Sequence, residues 1–192
     1  PSRPVVAIGF SLGALVAIVL AAEHPELVRG LVLVDPPLVE PDEGTRLWLR
    51  ALLEAKRAGI EAAYELAREL DPDGTPEEWQ RSALWLCSTA DGPILALLDE
   101  GRRPEPWDLL PRLSQPVLVL QADPVFGGVL DDETAQRALA QLRQGELVAL
   151  PGCGHAIHRT CPDDFVEVVL EFVARLDRPV SGEHIGLEHP AS

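Results

Sequence analysis

Residues 4–34 constrain this chain more than any other stretch, because they read as strand, tight turn, helix and strand with almost no slack between them. Pro4 to Ile8 (PVVAI) is a short apolar run bounded by Pro and Gly, the pattern of a strand covered on both faces. Leu12 to His24 is rich in Ala and Leu and reads as a buried helix that stops near Pro25. Leu31 to Val34 (LVLV) is a second buried strand, halted by Asp35, Pro36 and Pro37. Strand, helix and strand in this order form a βαβ unit, and its crossover obliges the two strands to run parallel.

The alternation returns later in the chain. Pro116 to Gln121 (PVLVLQ) predicts a strand, Asp132 to Gln144 a helix, Glu146 to Leu150 a strand and Pro162 to Leu176 a last helix. Between the halves the character changes. Apolar residues recur at helical spacing in RLWLRALLEAKRAGIEAAYELAREL and in TPEEWQRSALWLC, and Thr75, Pro76 and Glu78 supply an N-cap, an N1 proline and the glutamate of a capping box. The expected fold class is therefore α/β, a parallel sheet with flanking helices interrupted by three or four cap helices without strands. The expected divisions are a first core part at 1–39, a helical cap at 40–105, a second core part at 106–177 and a loose tail at 178–192.

Composition narrows the partners. In 192 residues, 46% hydrophobic, 31 acidic side chains outnumber 16 basic ones for a formal charge of -15, with the acids scattered along the chain. Such a surface repels phosphate backbones and anionic lipid, which argues against nucleic acid or a membrane surface as a partner. The longest apolar stretch, Leu12 to Ala22, has eleven residues, and a spanning helix needs about twenty. Cys87, Cys153 and Cys161 are an odd set without a secretion signal, which favours reduced thiols and a cytoplasmic setting. The chain holds no Met and enters a strand almost at residue 1, so it reads as cut at its N-terminus. The first strand should then lie at an exposed edge, prone to aggregation, and the piece alone should be poorly active. Oligomeric state is left open by all of this.

The chemistry begins at Gly9-Phe10-Ser11-Leu12-Gly13, a G-x-S-x-G sequence between a strand and a helix. A turn that lifts a serine above a sheet must leave a strand and enter a helix at once, and small neighbours let the backbone fold tightly. The same turn aims the Leu12 N–H, at the helix N-terminus, to where an oxyanion would form. A serine hydroxyl needs a base, and the base needs a partner that fixes its tautomer. His155, in the loop Pro151-Gly152-Cys153-Gly154-His155 after a predicted strand, is the candidate base. Asp123, after PVLVLQ, is the candidate acid; Asp35, after LVLV, is its rival, while Asp131 and Asp132 are better placed to cap the next helix.

With these residues in the order serine, acid, histidine, the chain resembles the α/β-hydrolase superfamily over roughly Pro4 to Leu176. Three segments carry the resemblance: GFSLG at Ser11, VLVLQADP at Asp123 and LPGCGHAIHRTCPDDF at His155. It implies a Ser11, His155, Asp123 triad acting on a small-molecule substrate, a carboxylic ester or similar acyl compound, with no cofactor, although some members take the acid from the position of Asp35. It also implies four further strands and a second oxyanion donor upstream, for which nothing here corresponds. Carbon-carbon bond hydrolases, peroxyacid-forming enzymes and acyltransferases share this triad, and a non-catalytic ligand receptor on the same fold is the reading from another class. Cys153, His155, His158 and Cys161 could ligate zinc, but their spacing is tighter than usual zinc patterns, and His158 is expected to pack near the site. A Cys153 to Cys161 disulfide is sterically allowed and disfavoured in a reducing compartment. Trp48, Leu52, Trp79, Trp85, Ile94 and Leu95 of the cap would line an apolar pocket or, more simply, fill the cap's own core.

Overall fold

The computed structural model describes residues 3–98 and 105–177. The expected tail at 178–192 and the end of the cap at 99–104 lie outside the described residues. Four strands, β1 (Val5–Phe10), β2 (Val28–Val34), β3 (Val117–Ala122) and β4 (Gly145–Leu150), form a parallel sheet in the order β1-β2-β3-β4.

Side-chain alternation on β2 and β3 sorts the core into two layers. Leu31, Leu33, Val117 and Val119 face the helices α1 (Leu12–Glu23) and α7 (Asp132–Gln141) and pack with Ala14, Leu15, Ile18, Ala135 and Ala138. Val32, Val34, Leu118 and Leu120 face the opposite way and meet Ile157, Val169 and Phe172, from the single-turn α8 (Ile157–Thr160) and from α9 (Pro162–Leu176). Both faces being covered, these strands carry continuous apolar runs at Leu31–Val34 and Val117–Leu120, as a parallel sheet favours. Each fully buried leucine contributes about 1.5–3 kcal/mol, so truncating Leu118 or Leu31 would damage a layer directly.

The strands and helices fall where the apolar runs place them, with longer strands at the ends. β1 continues through Gly9 and Phe10, and β2 begins at Val28 because Val28 already pairs with Val5 across an irregular step. At Gly30 a Cβ would lie 2.5 Å from Leu176 Cδ1, so the end of α9 packs directly on that backbone. β1 is an outer strand of the described sheet, with Ile8 52% exposed.

The inserted segment contains α2 (Glu43–Ala58), α3 (Ile60–Leu70), α4 (Pro76–Ser88) and α5 (Gly92–Leu98), and no strand among the described residues. The capping box at Thr75 forms as expected: the Glu78 N–H donates to the Thr75 hydroxyl, and the Thr75 N–H donates to the Glu78 carboxylate. The insert builds its own core from Leu49, Leu53, Ala63, Ala83, Leu86 and Ile94, with Leu52 and Leu95 against it. The chain returns to the sheet through the short α6 (Pro106–Leu109) and a further turn at Leu110–Arg112. No described helix is long and apolar enough to cross a membrane.

Candidate active site

The C-terminal edge of β1 turns sharply at Ser11. The Ser11 N–H donates to Val34 O at 3.0 Å, which ties the turn to β2, and its φ of 50° lies where side chains with a Cβ are rare. A backbone held there costs on the order of 1–3 kcal/mol, which the surrounding packing must offset. Gly9 explains why the turn can close: a Cβ there would sit 2.3 Å from Gly13 O. α1 starts at the next residue, so the Leu12 N–H is one of the first-turn groups with no acceptor inside the helix. No acidic side chain occupies that turn, and the positive end of the helix dipole is left free at the site.

His155 and Asp35 meet directly. His155 Nδ1 lies 2.6 Å from Asp35 Oδ2, which makes Nδ1 the protonated nitrogen and leaves Nε2 as the basic one. Asp35 is completely buried. Its carboxylate also accepts from the N–H groups of Val129 at 2.9 Å, Leu130 at 3.3 Å and Ala122 at 3.3 Å. A buried carboxylate without such partners would be strongly unfavourable; with them its oxygens are satisfied and held in one orientation. Asp35 itself has a φ of 43°, a left-handed conformation that aspartate tolerates better than most residues, and this turns its side chain toward the end of β3.

Asp123, the acid expected on the VLVLQADP resemblance, does not meet His155. Its Oδ1 accepts from the Val125 N–H at 2.9 Å, capping the turn Pro124–Phe126, and its Oδ2 accepts from the Gly152 N–H at 2.8 Å. The reason is conformational: Asp123 keeps an extended φ of -74°, so its carboxylate folds back over its own turn. Asp35 occupies the place beside the histidine. Asp131 caps α7 through the Thr134 N–H, and Asp132 accepts from Gln121 Nε2.

The residue before Ser11 packs against the histidine. Phe10 lies with its ring centroid 4.7 Å from that of His155 and 4.9 Å from that of His158, which in turn is 6.1 Å from Phe165. Among the described residues no hydrogen bond joins Ser11 Oγ to His155; such contacts are often loose until substrate binds. Burial lowers the pKa of His158 from the usual histidine value, and Arg159 and His155 add to the effect. His158 packs between Phe10 and Phe165.

The expectation of reduced thiols fails at Cys153 and Cys161, which form a disulfide. The one turn of α8 brings the two ends of the loop together, with Cα atoms 5.8 Å apart. Of the four residues with zinc-ligand chemistry, Cys153 and Cys161 are joined in the disulfide, His155 is bonded to Asp35 and His158 packs on Phe10. In the cap, Trp48 and Trp85 are not core residues: they are 45% and 68% exposed. Trp79 stands edge-on to Tyr64 and donates from Nε1 to Asp71 O. Two surface clefts, lined by Ile60, Tyr64 and Gln80 and by Pro116, Glu146 and Phe172, lie away from Ser11 and His155.

Sequence reasoning missed the residues that hold Asp35. The signal was present in Gly127-Gly128, since a Cβ at Gly128 would lie 2.7 Å from Ala122 O, and only a glycine lets that loop fold back to present the next two N–H groups.

Comparison with known proteins agrees on the architecture. The family model described as Alpha/beta hydrolase family matches residues 1–168. A pimeloyl-(acyl-carrier protein) methyl ester esterase of Chromobacterium violaceum is 31% identical over 190 residues, covering 88% of this chain and 69% of the esterase. The N-formylmaleamic acid deformylase of Pseudomonas putida S16 superposes with a TM-score of 0.70 at 21% identity, over 87% of this chain and 66% of the deformylase. A thermophilic esterase of Thermogutta terrifontis superposes with a TM-score of 0.70 at 24% identity, over 92% of this chain and 67% of the esterase. The chain spans about two thirds of the length of the proteins it matches.

Proposed function

The chain belongs to the alpha/beta hydrolase family, and we propose that within it Ser11, His155 and Asp35 hydrolyse a carboxylic ester of modest size. The observation that carries this reading is the 2.6 Å contact between His155 Nδ1 and the fully buried Asp35, with Phe10, the neighbour of the strained Ser11, packed on the imidazole. The relative from Chromobacterium violaceum is named for methyl ester hydrolysis, which favours an ester over other acyl substrates.

The chemistry follows from the arrangement. His155 Nε2 takes the Ser11 Oγ proton as the oxygen attacks the acyl carbon, and the Leu12 N–H and the α1 dipole stabilise the oxyanion. The imidazolium then gives its proton to the departing alcohol, leaving an acyl-serine that water attacks by the same route in reverse. Asp35 keeps Nε2 as the basic nitrogen and offsets the charge that forms on the ring. Asp123 has a different task in this scheme, holding the Pro124–Phe126 turn against Gly152.

The test is covalent labelling with a fluorophosphonate, read with hydrolysis of short p-nitrophenyl esters. Labelling should map to Ser11, and Ser11→Ala should lower kcat by on the order of 10⁶. Labelling elsewhere, or unchanged turnover in Ser11→Ala, would overturn the reading; labelling or ligand binding with no turnover would favour a receptor.

A further inference from the structure

The Cys153–Cys161 disulfide closes a short loop whose third residue is His155. Both ends of that loop are anchored to different parts of the fold. The Cys153 carbonyl accepts from the Asp123 N–H and its own N–H donates to Leu150 O, which fastens it to the ends of β3 and β4. The Cys161 carbonyl accepts from the Phe165 N–H in the first turn of α9, and its N–H donates to Ile157 O. Between them stand His155, the buried Ile157 and the single turn α8, a helix too short to hold its shape alone.

We propose that this disulfide is a positioning brace for His155, and that its reduction by a dithiol lowers hydrolysis; the inference rests on the function proposed above. The covalent bond fixes the distance between the end of β4 and the start of α9, and so fixes the loop that presents the imidazole to Ser11. Cys153 is 2% exposed, whereas Cys161 is half-buried and is the more accessible end of the bond. A thiolate of the dithiol therefore attacks Cys161 Sγ, breaks the S–S bond and releases Cys153 as the thiolate, which takes up a proton. The second thiol of the reagent attacks the mixed disulfide and releases Cys161. Two protein thiols form as one dithiol is oxidised to its disulfide. With the brace open, the loop can move relative to both Asp35 and Ser11, so the His155–Asp35 bond no longer holds one geometry, and displacements near 1 Å at such a site cost up to about 100-fold.

The experiment measures kcat and KM for a p-nitrophenyl ester on the protein before and after dithiothreitol, with thiols counted by a colorimetric reagent. The oxidised protein should titrate one thiol, Cys87, and the reduced protein all three. Reduction should lower kcat by roughly 10- to 100-fold with KM little changed, reoxidation should restore it, and Cys87→Ser should respond identically. The double variant Cys153→Ser, Cys161→Ser should have the low kcat and ignore the reductant. A second readout is independent of turnover: the low-field proton resonance of the His155–Asp35 bond should be sharp in the oxidised protein and broadened in the reduced one. Three titrating thiols in the oxidised protein, equal kcat in both states with the resonance unchanged, or loss of the whole far-UV circular dichroism on reduction would overturn the proposal. Absence of ester turnover in both states with a resonance that still responds would place the failure on the hydrolase reading instead.

Discussion

Val34-Asp35-Pro36 and Ala122-Asp123-Pro124 share one local pattern, an Asp-Pro step at the end of an apolar parallel strand, and they have opposite fates. Even their backbones begin alike: the Asp35 N–H donates to Leu120 O on β3, and the Asp123 N–H donates to Cys153 O just past β4, each at 2.8 Å. The difference lies in one dihedral. Asp35 turns left-handed at φ 43° and sends its carboxylate over the end of β3, into N–H groups and His155; Asp123 stays extended and caps its own turn. Local sequence says that an aspartate ends the strand; which neighbour receives its side chain is a property of the assembled sheet edge.

The largest effect that probes this difference is at the acids. Asp35→Asn should lower kcat by about 10⁴, because the amide can leave His155 in the wrong tautomer, while fluorophosphonate labelling slows in parallel. Asp123→Ala, by contrast, should stay within about tenfold in kcat and cost on the order of 1–3 kcal/mol in chemical denaturation, the loss of two backbone partners. A larger loss in the Asp123 variant than in the Asp35 variant would reverse the assignment.

Gly128→Ala joins the two loops. Its Cβ would press on Ala122 O, so the segment that delivers the Val129 and Leu130 N–H groups to Asp35 must shift. We expect kcat to fall roughly 10- to 100-fold with KM nearly constant; an unchanged kcat would show that these donors are dispensable.

His158 should matter least. Its pKa is lowered in the fold, chiefly by burial, so the folded protein resists a proton that the unfolded chain accepts. As pH falls below about 6.5, the unfolded chain gains that proton first and stability declines until the folded form titrates as well. His158→Gln should flatten the dependence of melting temperature on pH between about 7.5 and 5.5 (about one unit either side of the usual histidine value) and leave kcat at pH 8 within about twofold. The same steep dependence in the variant would point to another group. In the cap, Asp42 and Glu78 are held below the usual carboxylate values by backbone N–H groups of Thr45 and Thr75, and Asp91 by Lys56. Their contribution is present above pH 4 or so and is lost as pH falls further. Tryptophan fluorescence should therefore report the helical insert loosening on acidification, since three of the four tryptophans, Trp48, Trp79 and Trp85, lie in it.

Much of the molecule was legible before any coordinates. Strand β3, helix α9 and the Thr75 capping box lie where apolar runs, Pro162 and the T-P-E-E sequence put them, because each is decided by periodicity and by chemistry within a few residues. Ser11 was legible for the same reason: Gly9 and the strand-to-helix junction are local requirements of the turn. The exposed Trp48 and Trp85 were not, since hydrophobicity says that a residue can be buried and not what it will find above it.

The sequence by itself determined a parallel α/β sheet, a helical insert, a serine on a tight turn and a histidine on the loop after β4, all from patterns a few residues long. Tertiary structure alone decided that Asp35 and not Asp123 faces that histidine, and that Cys153 is bonded to Cys161. Both outcomes depend on distances between segments far apart in the chain or on the path of the loop between them. Asp35 and His155 are separated by 120 positions, and no local propensity encodes the left-handed turn and the glycine loop that bring a carboxylate, an imidazole and three backbone N–H groups to one point.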